Sequence, residues 1–199
     1  MGRPSVKKER KLQIAQGMMK VMATKGYDGA SMPEIAKAAG LGQGLIHYHF
    51  KSKQEILVAV LGEIVSHHVD ALNERLATIG NDPENQLNAF IDFYLGLGSY
   101  SNPEALACWV IISAEAMKKK EIGLHYENAI NGYVIKLSEI ISSGISAGTF
   151  KCESPKAAAA AITAAIQGYF LLSATTSDQI PRGSAANCTK EMAKGLLKP

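Results

Sequence analysis

The sequence predicts an all-α protein in which a three-helix N-terminal domain with a helix-turn-helix is joined by a long helix to a larger helical domain. Apolar residues recur at the i, i+3 and i+4 spacing of amphipathic helices. We find no convincing run of alternating polar and β-branched residues, which is the pattern of half-buried strands. Proline and glycine stand where helices would begin and end. We therefore take residues 1–52 as the first domain and residues 53–199 as the second.

Length and composition indicate a globular chain with a substantial core. The chain has 199 residues, of which 47% are hydrophobic and 20% charged, as in ordinary folded domains. Cys108, Cys152 and Cys188 are odd in number and far apart, which argues against a disulfide framework and against a zinc site. We expect reduced thiols and a cytoplasmic location, because no apolar segment follows the basic N-terminus as in a signal peptide.

Charge is distributed unevenly along the chain. Residues 1–55 contain 10 Lys and Arg against 4 Asp and Glu, whereas residues 56–199 contain 11 against 14. A basic segment in front of an acidic remainder predicts an anionic partner, such as DNA, at the N-terminal end.

The first predicted helix runs from about Ser5 to Lys25. Its apolar stripe is formed by Ile14, Met18, Val21 and Met22, which share one face at helical spacing. Gly26 should end this helix, because glycine readily adopts the left-handed conformation found after many helices, and Tyr27 should pack back on it.

The second predicted helix begins at Ser31, which forms a capping box with Glu34 three residues later. Pro33 is compatible with the first turn, where backbone amides have no helical acceptor. Gly40 should end the helix, and a short third helix should follow at about Gln43–His49.

These two helices and their turn satisfy the packing demands of a helix-turn-helix. Ala36 is small enough for a close crossing, and Gly40 supplies the left-handed turn residue. Leu41 and Ile46 provide the apolar contacts between the helices. Two packed helices without a DNA-binding role are the alternative, and the basic N-terminal quarter favours DNA binding.

A fourth helix should begin near Ser52, which forms a second capping box with Glu55, and should continue to about Leu76. The remaining helices are predicted near residues 83–100, 103–117, 121–148, 155–176 and 185–197. Proline stands at the start of three of them, where its missing amide hydrogen costs no helical bond.

The segment GASMPEIAKAAGLGQGLIHYHFKSKQEIL, residues 29–57, resembles the signature of the TetR family of helix-turn-helix regulators. The matching positions are Ser31, Ile35, Ala36, Ala39, Gly40, Gly44, Ile46, His49, Phe50, Ser52, Lys53 and Leu57. The chain departs from this signature at Gly42, where a serine or threonine usually caps the recognition helix, and at His47, where tyrosine is usual. The run around His47 is similar to the choline-responsive branch of the family.

This resemblance implies a transcription regulator, more often a repressor than an activator, that binds a pseudo-palindromic operator as a homodimer. It implies DNA binding by residues 1–52, and it implies effector binding and dimerisation by residues 53–199. Binding of a small-molecule effector would release the operator. A regulator that works without a ligand, or under the control of a protein partner, is the alternative.

Residue chemistry and the resemblance together predict the DNA contacts. These are Arg3, Lys7, Lys8, Ser31, Gln43, Gly44, His47, Tyr48 and Lys53. The Gln43 amide can pair with adenine, Gly44 permits close approach, and His47 and Tyr48 should face bases or backbone. The other residues should bind phosphates, and the three N-terminal cations form an arm that can also enter the minor groove.

The resemblance also implies a small-molecule pocket in the second domain, which is rich in aromatic residues. The candidates are Phe90, Tyr94, Trp109, Ser113, Tyr126 and Tyr133. Each is equally compatible with an ordinary core position, although buried Tyr and Trp need partners for their polar atoms. Glu115 could meet a cationic ligand if it faced inward, but we expect it to face solvent.

The alanine-rich stretch at residues 157–174 and the last helix should form the dimer surface. Ala164 and Gly168 are small and one turn apart, so they allow close approach of another helix. Alanine is too weakly hydrophobic to make this stretch a good membrane span. We therefore expect a helix that is buried against other helices, and no membrane partner.

We expect no cofactor, no metal site and no enzyme activity. A di-iron bundle needs paired Glu-x-x-His motifs, whereas Glu63 and His67 are four residues apart and have no second copy. The sequence also lacks a nucleophile elbow, a P-loop and a dinucleotide fingerprint. A helical metalloenzyme is therefore the least supported alternative.

Overall fold

The computed structural model describes residues 6–96 and 102–198, and every regular element within these two ranges is helical. Helices α1 to α9 span Val6–Gly29, Met32–Ala39, Gln43–His49, Lys53–Ile79, Pro83–Leu95, Pro103–Ala116, Lys120–Ser146, Pro155–Thr175 and Ser184–Leu196. A single 3₁₀ turn, Ser177–Gln179, lies between α8 and α9. The predicted all-α class and the predicted order of helices are confirmed.

The first helix is interrupted at Gly26. This glycine has φ of 69° and ψ of 178°, which are backbone angles that glycine alone adopts without strain. Tyr27 is buried directly after it. The predicted end of the regular helix and the packing of Tyr27 are therefore confirmed, although helical backbone resumes as far as Gly29.

The second helix begins and ends at the predicted residues. Ser31 Oγ accepts a hydrogen bond from the Glu34 amide at 3.4 Å. The Glu34 carboxylate is bonded instead to the Lys25 ammonium at 2.5 Å, so the serine forms only its own half of the capping box. Gly40 ends the helix in the left-handed conformation, with φ of 65°.

The starts of α5 and α8 also depend on side-chain caps. Asp82 Oδ1 accepts from the Asn85 amide at 2.7 Å, and Ser154 Oγ accepts from the Ala157 amide at 3.2 Å. In each helix a proline follows the cap directly, where its missing amide hydrogen is not needed. The α5 helix ends at Leu95, and part of its predicted continuation lies outside the described residues.

The chain forms two compact units. Among the described residues, one unit comprises 6–67 and 103–127, and the other comprises 68–96, 102 and 128–198. The first unit buries Ile14, Met18, Met22, Ile35, Ile46, Ile56, Leu57 and Ile112. The second unit buries Phe90, Ile91, Leu137, Ile141, Ala159 and Ile162. The unit that holds the helix-turn-helix thus extends well beyond residues 1–52.

Helix α8 is apolar over most of its length. Within the part of the chain that is described, it is the one helix long and apolar enough to cross a membrane. This is weak evidence, because core helices of water-soluble proteins pass the same test. Only 28% of its most apolar window is buried within the single chain, whereas the sequence predicts a helix that is buried against other helices and forms the dimer surface.

Candidate nucleic-acid interface

Helix α3 presents one apolar anchor inward and a polar face outward. Ile46 is completely buried, whereas Gln43, Gly44, His47 and Tyr48 are exposed, the Tyr48 side chain to 76%. These four are the residues that the sequence predicts to face DNA. The structure brings them together on one side of the helix.

The exposed position of Gly44 leaves space for a partner. A Cβ placed on this glycine would have no atom within 4 Å. Packing within the chain therefore does not require glycine here. A partner surface could approach the α3 backbone closely at this residue.

The turn before α3 is fixed by backbone hydrogen bonds. The Gly40 amide donates to Lys37 O at 3.2 Å, and the Leu41 amide donates to Ala36 O at 3.0 Å, which is the Schellman pattern of a glycine-ended helix. Gly42 then precedes α3 without a side-chain cap. The turn predicted for a helix-turn-helix and the uncapped start of its second helix are both present.

The N-terminal part of α1 places cations beside the end of α3. Lys7, Arg10 and Lys11 lie close enough to His49 to lower its pKa, with burial of the imidazole as the largest cause. The Lys11 ammonium lies 5.2 Å from the centre of the Phe50 ring. The basic end of α1 therefore lies beside the C-terminal end of α3.

The remaining predicted phosphate contacts have different surroundings. Ser31, Lys7 and Lys8 are exposed, whereas Arg3 lies outside the described residues. Lys53 is half-buried, and its ammonium donates to Tyr27 O at 2.9 Å and lies 4.1 Å from the Tyr27 ring centre. The sequence analysis missed this internal contact, since the two residues are far apart in the chain.

The six predicted pocket residues fall into two clusters, one in each compact unit. In the first unit, the Trp109 and Tyr126 ring centres are 5.0 Å apart. Burial raises the pKa of Tyr126, while hydrogen bonds to Trp109 and Ser113 act against this shift. These three residues therefore form one connected group on α6 and α7.

The second cluster is centred on Tyr94. Its ring centre lies 5.0 Å from that of Phe90 and 5.2 Å from that of Tyr133. Three further rings surround it that the sequence analysis did not select: His68, Phe93 and Phe170. Burial is the largest cause that raises the pKa of Tyr94, followed by Tyr133. An aromatic residue such as Phe170 in an alanine-rich helix is the sequence signal that could have revealed this cluster.

The prediction that Glu115 faces solvent is wrong. Glu115 is only 6% exposed. Its carboxylate accepts from the Lys118 ammonium at 3.1 Å and forms an ion pair with Lys119. The hydrogen bond from Lys119 is the largest cause that lowers the pKa of this carboxyl. Glu115 is therefore a buried charge with two cationic partners.

An apolar groove lies between α8 and α9. It is lined by Ala161, Ile162, Ala165, Thr189, Met192, Ala193 and Leu196. Met192 and Leu196 are exposed, as are Leu171 and Leu172 at the end of α8. No group of three or more His, Cys, Asp or Glu residues suited to a metal ion occurs in residues 6–96 and 102–198.

Comparison with known proteins places this architecture in a family. Residues 14–60 match the family model described as "Bacterial regulatory proteins, tetR family". Residues 83–198 match the family model described as "BetI-type transcriptional repressor, C-terminal". The chain belongs to the TetR family of transcription regulators, and its C-terminal part is of the BetI type. It is thus a DNA-binding regulator whose helix-turn-helix is formed by α2 and α3.

Individual relatives agree with this assignment. The HTH-type transcriptional regulator BetI of Yersinia pestis (strain Pestoides F) is 26% identical over 180 residues, which covers 88% of this chain and 86% of the relative. A TetR regulator from Haloarcula marismortui has the same fold, with a TM-score of 0.86 and 20% identity. The match covers 96% of this chain and 100% of that chain. A putative transcriptional regulator from Saccharomonospora viridis, in complex with choline, has a TM-score of 0.80 and 22% identity. The match covers 96% of this chain and 100% of that chain.

Proposed function

We propose that this protein binds a pseudo-palindromic operator as a homodimer, represses transcription, and releases the operator when a small-molecule effector binds. The exposed face of α3 carries the proposal, because four residues suited to a DNA groove lie together there while Ile46 anchors the helix inward. The neighbouring basic end of α1 provides charge for phosphates. In a bacterial cell such a regulator acts in the cytoplasm, where its DNA is.

We assign two kinds of DNA contact from side-chain chemistry: readers, which bond to base edges, and anchors, which bond to phosphates. Gln43 offers a donor and an acceptor that match an adenine edge in the major groove, and His47 and Tyr48 lie about one turn further along α3. Ser31, Lys53 and the arm of Arg3, Lys7 and Lys8 bind phosphates, which set position without reading sequence. The Lys53 ammonium has three N–H groups and gives one to Tyr27 O, so it retains donors for a phosphate.

The homodimer is proposed to form through the α8–α9 groove. A two-fold dimer buries the same surface of each copy. Exposed Leu171, Leu172, Met192 and Leu196 would then be covered, as would the uncovered part of α8. The symmetry would present two copies of α3 to successive major grooves, which calls for a pseudo-palindromic site.

The effector is proposed to bind at the Tyr94 cluster. Six aromatic rings meet there, and the Tyr94 hydroxyl is buried among them. Aromatic faces bind cations and apolar groups, and the Saccharomonospora viridis regulator was crystallised with choline. The effector must prefer the conformer that does not fit the operator, because only differential affinity shifts the equilibrium.

DNA recognition is tested with operator sequences selected by the wild-type protein from a random DNA pool, and with poly(dI-dC) as non-specific DNA. Wild-type affinity should fall steeply as salt rises. Gln43→Ala should lose about 1–3 kcal/mol of discrimination between the two DNAs, whereas Lys7→Ala should weaken both alike. A flat salt response, or no preference for the selected DNA, would refute sequence-specific binding. Identical effects of the two variants would refute the division into reader and anchor.

The effector proposal is tested by thermal shift with quaternary ammonium, aromatic and fatty-acyl compounds. A true effector should raise the melting temperature and lower operator affinity. Tyr94→Phe should reduce that rise, while Trp109→Phe, in the other cluster, should not. If no compound in these classes acts, the regulator without a small-molecule ligand becomes the better interpretation.

A further inference from the structure

The end of α6 and the start of α7 form a polar corner, residues 115–121, that contacts the DNA-binding helices within the first compact unit. The Lys119 ammonium lies 3.8 Å from the centre of the Tyr27 ring. The Lys53 ammonium lies 4.1 Å from the same ring centre and donates to Tyr27 O. One aromatic ring is therefore contacted by a cation from the corner and by the first residue of α4.

A second link joins the same elements. Gln54 Nε2 donates to Glu121 Oε2 at 2.5 Å. Gln54 follows Lys53 in the first turn of α4, and Glu121 lies in the first turn of α7. The start of α4 is thus connected to the corner at two points.

The Lys119 side chain is itself held in place. Glu115, which is buried, pairs with it and with Lys118. The Lys118 side chain is 66% exposed and the Lys119 side chain 29%. The Glu115–Lys119 pair therefore supports the cation against Tyr27, and Lys118 lies on the solvent side of the same carboxylate.

Both segments that meet at Tyr27 border the helix-turn-helix. Tyr27 precedes the Ser31 cap of α2 by four residues, and Lys53 follows the last residue of α3 by four. Base hydrogen bonds require donor–acceptor distances near 2.7–3.2 Å, so a displacement of about 1 Å removes them. Phosphate attraction falls off more slowly with distance. A disturbance at this corner would therefore weaken sequence reading more than general DNA binding.

We propose that Lys119 is a positioning residue for operator recognition, which holds Tyr27, and through it α2 and α3, in the orientation that reads bases, without touching DNA itself. The proposal rests on the base reading assigned to α3. A cation against an aromatic ring is worth enough to change affinity about tenfold when the ring is partly desolvated.

The test compares Lys119→Met, Lys119→Arg and Lys118→Met. Each protein is titrated with the DNA selected by wild type and with poly(dI-dC), and its melting temperature is recorded. Lys119→Met should lose about tenfold in affinity for the selected DNA and less than about twofold for poly(dI-dC). Lys119→Arg should restore binding, because a guanidinium also stacks on an aromatic ring. Lys118→Met removes the same charge one residue away and should bind like wild type.

Three results would overturn the proposal: an unchanged affinity of Lys119→Met for the selected DNA, an equal loss on both DNAs, or an equal loss in Lys118→Met. Should Lys119→Met fail to fold, Glu121→Ala replaces it. That change removes the exposed bond to Gln54, which is the second link between the corner and α4, and it should weaken the selected DNA alone. An unchanged Glu121→Ala would then count against the proposal. Wild-type protein without any DNA preference would instead refute base reading by α3, so the two failures are distinguishable.

Discussion

His49 lies at the end of α3 with a partly buried ring, and three cations of α1 face it. Burial and the charges of Lys7, Lys11 and Arg10 lower its pKa below the ordinary value of 6.5. The unfolded chain therefore binds a proton at a pH where the folded chain does not. Folding stability contributed by this group is present above about pH 6.5 and is lost as the pH falls through the folded pKa.

This behaviour gives a prediction for His49→Gln. Its free energy of unfolding should fall less than that of wild type between about pH 7.5 and pH 5.5, because the variant has no imidazole to protonate. Urea unfolding at several pH values measures the difference. His125→Gln, at an exposed position of α7, is the control and should follow wild type. A parallel pH profile for His49→Gln and wild type would contradict the prediction.

The sequence predicts that Ile46 faces inward, and in the structure Ile46 is buried while Gln43, His47 and Tyr48 are exposed. The DNA contacts of these three residues, which rest on their chemistry and on the resemblance, stay a prediction. Sequence reasoning failed at Glu115, whose partners Lys118 and Lys119 are three and four residues later. Opposite charges three and four residues apart pair on a continuous helix, so the sequence contained part of the signal, although both lysines follow the end of α6 at Ala116. Burial of the pair depends on elements distant in sequence, which spacing cannot reveal.

At the scale of helices, α1 and α2 cross closely at Gly17. A Cβ on Gly17 would be 2.8 Å from Ala39 Cβ, 2.9 Å from the Ala39 amide nitrogen and 3.0 Å from Ile35 O. Two of these atoms belong to the backbone of α2, so a Cβ on Gly17 could be accommodated only if the backbone of one helix moved. The sequence analysis assigned a small residue, Ala36, to the crossing of α2 and α3, and it named none for the crossing of α1 and α2. A glycine inside a helix lowers stability by about 1 kcal/mol relative to alanine. A glycine within the first predicted helix was therefore the sequence signal for close packing at Gly17.

Gly17→Ala should therefore lower the free energy of unfolding by about 1–3 kcal/mol, since an added methyl group forces backbone shifts. Gly62→Ala is the matched control, because Gly62 is exposed in α4 and a Cβ there meets no atom within 4 Å. It should raise stability by up to about 1 kcal/mol through helix propensity. Denaturant unfolding of both variants measures the two signs. Equal shifts would show that helix propensity, rather than the crossing, sets the effect.

At the scale of the whole molecule, the sequence predicted the class and order of helices because caps, prolines and apolar periodicity are local signals. The residues that surround Tyr94 were only partly predicted, since His68 and Phe170 come from helices distant in sequence. Helix α8 was expected to be buried, yet much of it is exposed in the single chain. The sequence of an alanine-rich helix face does not distinguish a face covered by its own chain from a face covered by a second copy.

The proposed dimer predicts the behaviour of the double variant Met192→Glu, Leu196→Glu. Two carboxylates in each copy would meet across the two-fold axis and would lose water on association, which is unfavourable for unpaired charges. The variant should elute as a monomer near 21.3 kDa, whereas wild type should have about twice that mass. Its operator affinity should fall at least about tenfold, because two half-sites would no longer bind together.

Ile135→Glu is the control for this loss. Ile135 is 50% exposed in α7, and it lies outside both the α8–α9 groove and the corner at residues 115–121, so the variant should remain dimeric and should bind the operator. Light scattering after size exclusion gives the mass, and a titration with the selected DNA gives the affinity. A double variant that stays dimeric would show that the dimer interface does not lie at the α8–α9 groove. A monomeric variant with full operator affinity would separate dimerisation from DNA recognition, because each half-site would then bind on its own.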